Sequence, residues 1–141
     1  MELKNSRPVL CPSAQPWMDG SMAFGVIGGS ADEPRVQWIE KPVPVTADLV
    51  ALTGAVPPTQ VLRIAAPCQE NACCHFDGTD CRLATKLVQL MPAVSESLPP
   101  CRIRPNCRWF TQEGRAACAR CPQIVTYSVN PTPELSMAAT P

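Results

Sequence analysis

The stretch CRIRPNCRWFTQEGRAACARCP, residues 101–122, places cysteines at Cys101, Cys107, Cys118 and Cys121, with Pro122 closing the run. Two sulfurs three residues apart, as at Cys118 and Cys121, converge on one centre because the turn between them returns the chain to the same side. A proline after the last cysteine suits the point where the backbone leaves a cluster. Four thiolates suit either tetrahedral zinc or an iron–sulfur cluster. Structural zinc sites commonly combine two short knuckles, and this segment has one. Its wider spacing is easier to reconcile with a 4Fe-4S cubane, whose corners stand farther apart than ligands around a single ion.

Charge in the same segment points the same way. Arg102, Arg104, Arg108, Arg115 and Arg120 face one acidic residue, Glu113. A four-thiolate centre carries about −2 with either zinc or an oxidised 4Fe-4S core, so neighbouring guanidiniums stabilise it. The plainer alternative is that the arginines form a solvated face. Trp109 and Phe110 could stack on single-stranded bases, but an apolar lid over the metal site is the expected role.

Upstream lies a second group, Cys68, Cys73, Cys74 and Cys81, with His75, the one histidine of the chain. Neighbouring side chains diverge in extended backbone, so Cys73 and Cys74 do not both serve one small site. A second set could be Cys68, Cys73 or Cys74, and Cys81, with His75 or the distant Cys11 as fourth ligand. Alternatively, three of these thiols join one cysteine of the 101–121 group around a single cluster. A thiolate in the first turn of a helix is favoured by its free N–H groups, which supports Cys81. Cys68, Cys74 and Cys81 are therefore the added candidates beside Cys101, Cys107, Cys118 and Cys121, while Cys11 is expected to be dispensable.

Working outward, Pro67 marks a change in the 141-residue chain, because eight of its nine cysteines follow that residue. Residues 1–66 read as a small β-rich part, 67–127 as a cluster-binding part and 128–141 as a disordered tail. Met22–Ile27 and Val36–Ile39 read as a hairpin around the turn signal of residues 28–34. Thr46–Gly54 reads as a capped short helix, and Val61–Ala65 as a third strand that delivers Cys68. Leu83, Leu87, Leu90 and Met91 mark one buried helix face, with Asp80 as its cap and Pro92 at its end. A helix is expected over Arg108–Glu113, closed by Gly114, and a last strand over Gln123–Tyr127. The fold class is α+β: a few short strands and two to three short helices, with a cysteine-rich, metal-centred second half.

Composition bounds the function. Twelve basic residues balance twelve acidic ones, so no overall charge favours nucleic acid or an anionic membrane. The longest apolar run, Met22–Ile27, falls far short of the roughly 20 residues of a bilayer span. Residues 1–8 lack the apolar core and cleavage site of a secretory signal. A cytoplasmic location follows as an expectation, and in that compartment thiols are kept reduced. Cys118–Cys121 lacks the strand-to-helix context of a redox dithiol, and no phosphate-cradling glycine motif occurs. The expected protein is a small iron–sulfur carrier acting in electron transfer or in redox or oxygen sensing for a protein partner. The alternative is a zinc-stabilised module that binds protein or nucleic acid.

Overall fold

The computed structural model describes residues 9–30, 33–128 and 131–141. Residues 31 and 32 of the expected turn and the first eight residues lie outside them. Four strands, β1 (Leu10–Cys11), β2 (Met22–Gly29), β3 (Pro34–Pro44) and β4 (Leu62–Pro67), form an antiparallel sheet in the order β1-β4-β2-β3. The hairpin appears where the alternation placed it. Gly29 has φ +78°, and a Cβ there would meet the Glu33 carbonyl oxygen at 2.5 Å, so only glycine closes this turn without strain. A register shift between Ala23 and Gly25 marks a bulge in β2, seen against both of its neighbours.

Two short helices, α1 (Ala47–Ala51) and α2 (Pro58–Val61), lead from β3 to β4. Thr46 caps α1 by accepting from the Leu49 N–H at 3.2 Å, as expected. The second half packs α3 (Arg82–Leu90), α4 (Arg108–Glu113), α5 (Arg115–Arg120) and α6 (Pro133–Ala139) around Trp109, Leu87, Met91, Ala117 and Ile124. Gly114, at φ +68°, turns the chain from α4 into α5.

Several expectations are corrected. The described residues form six short α-helices rather than two or three. Cys81, not Asp80, occupies the cap position of α3, because Asp77 accepts the N–H groups of Thr79 and Asp80 and spends Asp80 on a turn. Gln123–Tyr127 is no strand; a 3-10 turn over Cys121–Gln123 leads into irregular chain. The tail expected to be disordered carries α6, where Thr132 caps, Pro133 opens the first turn and Ala138 buries fully against α3. The small mixed α+β class stands.

One strand joins the two halves. Every residue from Leu62 to Ala66 is buried, with Leu62, Ile64 and Ala66 in one apolar cluster and Ala65 in another with Leu10, Phe24 and Ile103. Arg63, between them, is fully buried and points toward the helical half. Its guanidinium donates to the Pro12 carbonyl at 2.8 and 3.2 Å, to the Cys121 carbonyl at 2.8 Å and to the Ile124 carbonyl at 3.3 Å. Phe24 and Trp109 cover it, with ring centres 5.3 and 5.7 Å away. Lysine cannot reproduce that fork. Arg63→Lys should lower the unfolding free energy by about 2–4 kcal/mol in urea, since hydrogen bonds to a buried charge are worth about 1.5–3 kcal/mol each. A loss under about 0.5 kcal/mol would show that Arg63 does not hold the halves together.

Candidate metal centre

All nine cysteines are free thiols, and the fold distributes them around two cavities. Cys101, Cys107, Cys118 and Cys121 line one cavity of about 20 Å³ together with Pro12, Phe24, Ile103, Arg104, Trp109 and Phe110. Each arrives on a different local device. Cys101 follows Pro99 and Pro100, with its N–H bonded to the Pro99 carbonyl at 2.8 Å. A 3-10 turn over Arg104–Asn106 sets Cys107 at the cap of α4. Cys118 sits on α5 and Cys121 at its end. The four residues expected from spacing alone are thus brought to one place.

Burial opposes ionisation at three of them. It pushes the Cys107 thiol up to about 12 and raises Cys101 and Cys118 as well, opposed at Cys118 by the nearby Arg104 guanidinium. Arg63 donates to the Cys121 sulfur at 3.2 Å. Arg104 stacks on Phe110 at 5.9 Å and also reaches the Pro99 carbonyl. Of the expected arginines, then, Arg104 turns inward to a thiol. Arg120 instead ties α5 to the Met91 carbonyl at 3.0 Å, and Arg102 and Arg115 are exposed. Trp109 is buried and lines both this cavity and the next.

The other group surrounds a larger cavity of about 830 Å³ that Cys11, Cys68, Cys73, Cys74, His75 and Cys81 all border. Cys68, Cys73 and Cys81 are close enough to Cys11 to bear on its ionisation, and Cys73 bears likewise on Cys81. Cys74, the candidate from sequence, is exposed, whereas its neighbour Cys73 is half-buried and faces the others. Cys11, expected to be a bystander, lies among them with its thiol pushed up by burial to about 12. Strand pairing put it there, and a two-residue strand leaves almost no periodic signal. His75 is held below its ordinary value by burial, then by Lys86 and Arg82, and stays neutral.

Polar donors surround both groups. Arg108 lies against the Cys68 thiol and pairs with Glu70 at 3.0 Å, and Glu70 takes the left-handed φ of +46° in making that reach. Among the described residues, the buried Arg104 Nε, Arg108 Nε and Trp109 Nε1 have no hydrogen-bond partner. All three are donors. They stand beside sulfur, and an anionic centre rich in acceptors is what would satisfy them. Among the described residues, however, no three Cys, His, Asp or Glu side chains stand close enough to hold one metal ion. The sulfurs share cavities rather than a point.

Comparison with protein-family profiles, with curated proteins and with solved structures finds no match to this chain. No helix among the described residues is long and apolar enough to cross a membrane.

The buried thiols make a pH prediction for the metal-free chain. An unfolded thiol ionises near its ordinary 9.0, while Cys107 and Cys11 stay protonated to about 12. The unfolded state therefore releases protons first as pH rises, and stability present below pH 9 is lost toward pH 12. The slope should reach about 1.4 kcal/mol per pH unit for each such thiol. Urea midpoints measured without oxygen at about pH 8 and 10.5 should fall accordingly, less steeply in Cys107→Ala; equal slopes for both chains would rule out this burial effect.

Proposed function

We propose that this protein is a small iron–sulfur carrier that holds a 4Fe-4S cluster on Cys101, Cys107, Cys118 and Cys121 and serves a protein partner in electron transfer or redox sensing. The observation that supports it most is that these four thiols line one small cavity beside two guanidiniums, Arg63 and Arg104. A buried guanidinium calls for negative charge, and four thiolates around a cluster supply about −2 in total. The single short knuckle, Cys118 and Cys121, with wider spacing back to Cys107 and Cys101, suits a cubane more than the paired knuckles of structural zinc sites.

The residues have distinct tasks in this reading. On binding a cluster the four cysteines would lose their protons, which burial opposes at Cys101, Cys107 and Cys118 and the positive iron would favour. Arg63 and Arg104 offset the charge of the reduced centre and so raise its potential. Trp109 and Phe24 exclude water. When bound, a cluster would supply one-electron chemistry, exchanging an electron with the partner protein while no bond of the chain changes. Exposed Arg102 and Arg115 give that partner's acidic surface a place to approach. Free thiols throughout fit a reducing compartment such as the cytoplasm.

Protein purified without oxygen should be brown, absorb broadly near roughly 400 nm and bleach on reduction, with iron and sulfide in equal amounts. Cys118→Ser and Cys121→Ser should each lower that absorbance by more than about half. A colourless protein carrying stoichiometric zinc and no sulfide would leave the zinc-module reading in its place, and full iron content in Cys121→Ser would discard the ligand set.

A further inference from the structure

We propose that Cys11, Cys68, Cys73 and Cys81 form a second cluster site, so that the chain carries two iron–sulfur centres on either side of Trp109. The inference rests on the reading of the Cys101 group as a cluster site and selects, among the alternatives that spacing left open, Cys73 over Cys74 and Cys11 over His75.

Backbone pairing carries the first pair. Cys11 pairs with Ala66 across β1 and β4, and the Cys68 N–H donates to the Val9 carbonyl at 2.8 Å. Residues two apart on a strand share a face, so Cys68 stands diagonal to Cys11 on one side of the paired chains. Leu10 packs its side chain with Phe24, Ala65 and Ile103, and its backbone bridges that of Cys107 of the first centre. A single dipeptide therefore separates the two groups.

A closed loop carries the second pair. Phe76 bridges Cys81, the Arg82 N–H donates to the His75 carbonyl at 2.7 Å, and Asp77 N–H to the Asp80 carbonyl at 3.0 Å. The chain leaving Cys73 is thereby returned at Cys81. Gln112 of α4 locks that return: its Oε1 accepts from the Cys81 N–H and its Nε2 donates to the Cys81 carbonyl, each at 2.8 Å.

The cavity also holds unmet donors. Trp109 is 2 % exposed, and its indole N–H lies against Cys81 without closing a hydrogen bond. Arg108 Nε, on the same cavity, is likewise unpartnered. Cluster sulfide and thiolate are acceptors for both. His75 borders the space but is not needed to complete a set of four, and Cys74 is the spare ninth thiol.

The test is iron, sulfide and zinc per folded chain after anaerobic reconstitution of the full-length protein and of Cys11→Ser, Cys73→Ser, Cys74→Ser and Cys121→Ser, with circular dichroism to verify folding. Two cubanes give about eight irons in the unaltered chain and in Cys74→Ser, and about four in each of the other three. Four irons in the unaltered chain, unchanged in Cys11→Ser but lost in Cys121→Ser, would overturn the second site and leave the first standing. Zinc in place of half the iron, lost in Cys11→Ser, would overturn it as a cluster site. Iron lost in Cys11→Ser but kept in Cys121→Ser would uphold the second site and discard the first, and absence of iron and sulfide would remove both. Should Cys11→Ser unfold, Cys73→Ser on its exposed loop reads the same outcome.

Discussion

A guanidinium with no carboxylate partner among the described residues lies at the middle of this molecule. Burying an unpaired charge costs several kcal/mol unless dipoles and hydrogen bonds replace the lost water. Arg63 obtains them from three carbonyls on two segments far apart in sequence, one beside Cys11 and the others around the turn that follows α5. Phe24 and Trp109 add their ring faces. The requirement to satisfy this one side chain explains why the sheet and the helical half meet where they do. It also explains why Cys121 is held at that spot: the same guanidinium binds its carbonyl and its sulfur.

Around this contact the thiols are arranged as charge balance would demand. Arg63 donates to the Cys121 sulfur, while the Arg104 and Arg108 guanidiniums lie near Cys118 and Cys68. With neutral thiols these are weak interactions. With thiolates they become charge-assisted hydrogen bonds, about twice as strong as neutral ones. The protein is thus built with positive charge waiting beside sulfur.

Local patterns carried far into this fold. The hairpin, the α1 cap, β4 and the α4 stop at Gly114 each rest on a run of a few residues, and the Cys101 group rests on its own spacing. What escaped depends on partners remote in the chain. β1 has two residues, too few for alternation, and it exists because β4 offers an edge. Arg63 reads in sequence as a polar interruption of a strand, and its burial follows from carbonyls that only the folded chain supplies. Choosing Cys73 over Cys74, and admitting Cys11, needed the same non-local information. Asp80 failed as a cap because Asp77 competes for its N–H, and the 133–139 helix was hidden by prolines that in fact open it.

The contact between Arg63 and the Pro12 carbonyl spans 51 residues, whereas Cys101 to Cys121 is one short segment. Closing a chain loop costs entropy that grows with the logarithm of its length, and long-range closures slow folding. During synthesis both partners of the long closure emerge before the helical half does. The sheet can therefore form with its arginine still facing water, and the last forty residues complete the molecule by covering it.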